Sequence, residues 1–156
     1  MANYASVVKL PDPNLTDIDL NQLAERVLLL FEGRFHENSI SVETHLHSDR
    51  PRVSADRPQM EQVLVNVLKN SMEAIDGDGV IQVTTSARPA VISIRDNGKG
   101  IPDGAKNKIF TPFYSEKKHG QGIGLTFIRE VLLAHNFYFS LTSDQDGWTE
   151  FTIRFD

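Results

Sequence analysis

An α+β sandwich, with a mixed, mostly antiparallel sheet packed against helices on one face, is the fold class this sequence predicts. Three observations predict it. Apolar residues recur at helical spacing in three separated stretches, 20–31, 60–75 and 123–135. Alternating segments arrive in pairs, as hairpins do, rather than singly between helices as a doubly wound parallel sheet requires. The chain has 156 residues, 40% apolar and 24% charged, which suits one domain around a single core.

The elements follow in order. Residues 1–16, ending PDPNLT, hold two of the seven prolines and read as a linker or the end of a preceding helical hairpin, leaving 17–156 as the domain proper. Asp19-Leu20-Asn21-Gln22 has the form of a capping box, and Leu20, Leu23, Ala24, Val27, Leu30 and Phe31 then form an apolar helical stripe. Ile40, Val42, Thr44 and Leu46 alternate as a half-buried strand does, with a second short strand over Pro51 to Ser54. Asp56-Arg57-Pro58-Gln59 repeats the cap, with Pro58 in the first turn where its missing N–H costs little. That helix runs to about Ile75 and stops at the DGDG of 76–79. Strands follow at Val80–Ser86 and Ala90–Arg95. Residues 96–114 are irregular, 115–122 form a basic loop, and Ile123–His135 is a helix. Phe137–Ser143 and Trp148–Phe155 close the chain as a pair around Asp146-Gly147.

Composition excludes several functions. A net charge of -5 without clustered Lys and Arg argues against nucleic acid as a partner. The absence of cysteine rules out disulfides and thiolate metal sites. The longest apolar run, Val27 to Phe31, is far too short to cross a bilayer, so no direct membrane contact is expected of this chain and a cytoplasmic place is. Of the five histidines, His36, His45, His47, His119 and His135, none opens a long helix in a His-Glu/Asp-x-Lys/Asn setting.

Three motifs carry chemistry. On the helix 60–75, Met60, Val63, Leu64, Val67, Leu68, Ser71 and Ile75 form the buried face. Asn66, Asn70 and Glu73 make a polar stripe beside it, extended by Gln59, Gln62 and Lys69. Such a stripe also suits a solvated flank, but asparagine is a mediocre helix former, and its carbonyl oxygen is a hard ligand suited to Mg²⁺. Asp96-Asn97-Gly98-Lys99-Gly100 follows the strand VISIR; a turn explains Asn97 and Gly98, while Asp96 could accept a hydrogen bond from a flat ligand. Gly120, Gly122 and Gly124 open the helix at 123, where bare N–H groups and the helix dipole favour an anion. The spacing is neither GxGxxG nor a P-loop. Just before it, Ser115 to His119 carries two lysines able to neutralise phosphate.

Together and in this order, the motifs resemble those of histidine kinase catalytic domains. VLVNVLKNSMEAI resembles the asparagine box, DNGKG the first glycine box, IFTPFYSEKK the phenylalanine box, GQGIGLTFIREVL the second glycine box and WTEFTIRF the last strand. NYASVVKLPDP is similar to the hairpin exit of the nitrogen-regulation subtype. The resemblance implies the Bergerat fold shared with gyrase-type topoisomerases, mismatch-repair ATPases and a heat-shock chaperone. It implies ATP and Mg²⁺ as cofactors, with Asn70 on the metal, Asn66 supporting the phosphate and metal site, and Asp96 on the adenine amino group. It further implies Gly98 and Gly100 around the base with Ile101, Gly120, Gly122, Gly124 and Leu125 at the phosphates, Lys117 and Phe110 in the lid, and Thr149 near adenine. Glu73 stands as a candidate base for the histidine nucleophile. Ser71 replaces the usual alanine and is read as harmless; Gln121 replaces a common threonine. The implied partners are a dimerisation and phosphoacceptor hairpin of the same parent and, indirectly, a response regulator, the isolated domain being a monomer. A non-catalytic nucleotide-binding module and an anti-sigma-type serine kinase are the alternatives; the latter usually carries Glu where Asn66 stands.

Overall fold

The computed structural model describes residues 10–101 and 123–156. Its elements are β1 (Thr16–Asp19), α1 (Leu20–Glu37), β2 (Ile40–His45), β3 (Arg52–Ala55), α2 (Arg57–Ala74), β4 (Gly79–Ser86), β5 (Val91–Asp96), α3 (Ile123–Ala134), β6 (Tyr138–Ser143) and β7 (Thr149–Arg154). Five strands form one sheet in the order β2-β4-β5-β7-β6, and β1 pairs with β3 in a separate two-stranded ladder.

Both caps read from the sequence form. Asp19 Oδ1 accepts from Gln22 N at 3.0 Å, and Asp56 Oδ1 accepts from Gln59 N at 3.1 Å. Along α2, Met60, Val63, Leu64, Val67, Leu68 and Ser71 are buried as expected; Ile75 instead follows the last turn as its cap. The inward face of the sheet is apolar through Ile81, Val83, Ile92, Ile94, Phe151 and Ile153, all buried. Burying each such side chain stabilises the fold by roughly 1.5–3 kcal/mol. Alternate outward positions, including Gln82, Ser93, Arg95 and Glu150, are polar and partly exposed.

Three expectations need correction. Leu30 lies outside the core, 71% exposed, whereas Leu23 is fully buried. The packed stripe runs instead through Val27, Phe31 and Phe35, all buried, and Leu30 lies off it beside Leu29, which is 69% exposed. The first two strands are no hairpin: β2 pairs in parallel with β4 through the crossover that contains α2, and β3 pairs with β1. β1 itself has too few residues to show a period in sequence; it exists because Thr16 to Asp19 lie along β3.

The ends of the helices are tied by buried polar groups. Asp56 N donates to His135 Nε2 at 3.1 Å, and His135 Nδ1 lies 2.8 Å from Val131 O. An Nε2 that accepts leaves Nδ1 to donate, so the ring is fixed as one neutral tautomer joining the start of α2 to the end of α3. Asp56 Oδ2 also accepts from Asn14 N at 2.9 Å, and Gln59 Nε2 donates to Pro11 O at 3.2 Å. The segment before β1 is therefore fastened to α2.

Candidate functional site

The site is built where the C-terminal half of α2 crosses the ends of β5, β7 and β6. Across the sheet, Asp96 stands opposite Thr149, and Thr149 opposite Ser143. The next inward row, Ile94, Phe151 and Leu141, is apolar. The sheet therefore changes from apolar to polar in its final inward row. Asp96 is 4% exposed and Thr149 9% exposed, so this row is a buried polar floor rather than a solvated edge.

Asp96 is held from two sides. Its Oδ1 accepts from Gly98 N at 2.9 Å, and the Ser71 hydroxyl donates to the same carboxylate. Burial raises the Asp96 pKa above the usual carboxylate value; the Gly98 N–H and the Ser71 hydroxyl pull it partly back. Ser71 is thus more than a tolerated replacement for alanine. The signal for it was a hydroxyl inside an otherwise apolar buried stripe.

The turn after β5 is fitted to the end of α2. Lys99 N donates to Ala74 O at 2.8 Å. A Cβ on Gly98 would lie 2.4 Å from that same carbonyl oxygen, so only glycine fits there. Asn97 plays a structural part, since its Oδ1 accepts from Val80 N at 2.8 Å and prolongs the β4–β5 ladder. Gly100 takes φ +79 and brings Ile101 N to 3.1 Å from Ser143 Oγ. Ser143 Oγ in turn lies 3.0 Å from Thr149 Oγ1. Sequence reasoning missed Ser143, although it continues the inward alternation of Phe139 and Leu141 on β6.

On α2, Asn66 and Asn70 are half-buried and Glu73 is exposed. Glu73 nevertheless interacts within the chain. Asn66 Oδ1 accepts from Gln62 Nε2 at 2.9 Å. A Cβ placed on Gly124 would come 4.0 Å from Asn66 Nδ2, so the first turn of α3 stands against the polar stripe. Asn70 Nδ2 is buried with no hydrogen-bond partner among the described residues. Such a group costs about 1–3 kcal/mol unless something binds it. An unpaired amide donor near the first turn of α3 suits an acceptor oxygen such as that of a phosphate group.

Of the residues expected from sequence, Asn66, Asn70, Asp96, Gly98, Gly100, Ile101, Gly124 and Thr149 gather around this one end of the sandwich, while Leu125 packs against the core. Phe110, Lys117, Gly120 and Gly122 lie outside the described residues. A cleft of about 660 Å³ lined by Phe35, His36, Asp78 and Asn97 shares only Asn97 with these motifs. No described helix is long and apolar enough to cross a membrane.

Comparison with known proteins points the same way. The family described as histidine kinase-, DNA gyrase B- and HSP90-like ATPase matches residues 55–156. Sporulation kinase C of Bacillus subtilis is 31% identical over 137 residues, covering 86% of this chain and 32% of that protein. Sensor histidine kinase ZraS of Escherichia coli is 32% identical over 141 residues, covering 89% of this chain and 30% of that one. The chain therefore spans about a third of the length of these relatives. The catalytic domain of histidine kinase ThkA, solved free of nucleotide, superposes with a TM-score of 0.82 at 29% identity over 91% of this chain and 95% of that one.

Proposed function

The chain belongs to the histidine kinase-, DNA gyrase B- and HSP90-like ATPase family, and from that premise we propose that it binds Mg-ATP and presents the γ-phosphate to a histidine on a separate hairpin of its parent protein. The observation that carries this reading is Asp96, a buried carboxylate kept beside Thr149 at the mouth of the sandwich. It suits an acceptor for the adenine amino group, with Gly98, Gly100 and Ile101 letting the flat base approach.

In this reading Asn66, Gly120, Gly122, Gly124 and Leu125 surround the phosphates, and Lys117 neutralises them from the lid that Phe110 positions. Asn70 would hold Mg²⁺, which supplies charge neutralisation at the phosphate oxygens when bound. The unpartnered Asn70 Nδ2 is a donor that suits a phosphate oxygen, which supports a place for Asn70 beside the phosphates and leaves its Oδ1 as the hard ligand for the ion. Catalysis is then positioning: the chain orients the terminal phosphate in line with an incoming imidazole. Glu73 would act as a base for that imidazole, from the exposed end of the stripe. The parent's hairpin is the direct partner and a response regulator the indirect one, and ThkA has been solved in complex with the response regulator protein TrrA. The nitrogen-regulation subtype, the cytoplasmic place and the monomeric state belong to this proposal too.

Isothermal titration with a non-hydrolysable ATP analogue tests it, with and without Mg²⁺. Binding by wild type, loss in Asp96→Asn and an altered Mg²⁺ dependence in Asn70→Asp are expected. A folded wild-type domain that binds no nucleotide would overturn the reading. Phosphohistidine formed on a hairpin added in trans would separate transfer from mere binding.

A further inference from the structure

Ser143 occupies a position that an apolar residue would be expected to fill. It follows Phe139 and Leu141 on the inward side of β6, both packed against the core. Its hydroxyl has two partners among the described residues, Ile101 N at 3.1 Å and Thr149 Oγ1 at 3.0 Å. The first can only donate, so Ser143 Oγ accepts there. Among the described residues, the partner open to the Ser143 hydrogen is Thr149 Oγ1, 3.0 Å away, a pair in which either hydroxyl can be the donor. A hydroxyl carries a single hydrogen, so a Thr149 that accepts from Ser143 keeps its own O–H free to point away from Ser143. The neighbour across the sheet on that side is Asp96.

Resting on the nucleotide-binding reading above, we propose that Ser143 is a positioning residue that sets the hydrogen-bond polarity of the base-reading pair. With Ser143 donating, Thr149 is a donor beside the Asp96 acceptor. A donor next to an acceptor matches the edge of an amino-purine, whose exocyclic amine donates and whose ring nitrogen accepts. An oxo-purine reverses that order and leaves the same two protein groups unpaired. Ser143 therefore selects adenine over hypoxanthine without touching either. Its second bond, to Ile101 N, holds the chain leaving Gly100 against the same hydroxyl and keeps this geometry fixed.

The test is isothermal titration of ADP and of inosine diphosphate, with circular dichroism to confirm folding, on wild type, Ser143→Ala and Ser143→Thr. Ser143→Ala is expected to weaken ADP by about 3- to 10-fold while changing inosine diphosphate by less than about twofold, so the preference for adenine collapses. Ser143→Thr keeps the hydroxyl and restores the preference. An equal loss for both nucleotides marks a merely structural role and overturns the proposal, as does an unchanged ratio. If Ser143→Ala does not fold, Ser143→Cys, close in size and a weak donor, takes its place under the same criteria. A wild type that binds neither nucleotide defeats the nucleotide reading and this inference with it. A wild type that prefers ADP, with Ser143→Ala keeping that preference, defeats this inference alone.

Discussion

Asp96 is a carboxylate held against its own preference for water. Burial raises its pKa and two hydrogen bonds only partly reverse this. Between the ordinary carboxylate range and that raised value, the folded state binds more protons than the unfolded one. The contribution of Asp96 to stability is therefore fully present below the unfolded pKa and is lost as pH rises through the folded one. Calorimetric melting of the ligand-free protein from about pH 3.5 to about pH 7 is expected to show this loss, and Asp96→Asn to remove it. At neutral pH Asp96→Asn should melt higher than wild type while failing to bind nucleotide. Ser71→Ala should move the Asp96 pKa further up, read by carboxyl NMR, because it deletes a hydrogen bond to the charged form. Asp96 and Thr149 were legible through their motifs. Ser71 stood out only as a hydroxyl in an apolar stripe, because its partner across the core becomes visible only once helix and strand are packed together.

At the scale of the element, α1 and α2 show what periodicity can and cannot carry. The buried face of α2 was legible almost to its last residue, since six apolar or small positions repeat with one phase. On α1 the same argument failed at Leu30, where none of the described elements covers the flank. Leu23→Ala is expected to cost about 2–5 kcal/mol in urea unfolding, and Leu30→Ala to fall within about ±0.5 kcal/mol. The junction between α2 and β5 is closely fitted, with Gly98 and Lys99 set against the Ala74 carbonyl. Gly98→Ala places a methyl against the backbone carbonyl of Ala74, which cannot turn aside as a side chain could. That substitution should destabilise the protein by about 1–3 kcal/mol in the same assay.

At the scale of the whole molecule, local signals ended where strand partners had to be chosen. Alternation announced β2 and β3, but nothing within either segment says that β2 runs parallel to β4 while β3 finds β1. Those pairings join segments far apart in the chain. The two-layer architecture was legible and the wiring of its first strands was not. Because the proposed ligand touches α2, α3 and the central strands at once, it should bind the folded state alone. A concentration of 100 times Kd is expected to raise the unfolding free energy by about 2.7 kcal/mol, measured by thermal shift. β7 has a further consequence. It follows every other described strand in the chain, yet it lies between β5 and β6 in the sheet. On the ribosome, Asn70 and Asp96 emerge before Thr149, and the polar row of Asp96, Thr149 and Ser143 stays incomplete until β7 slots into that gap. On the nucleotide-binding proposal, a nascent chain cannot hold its ligand until β7 has been made and inserted.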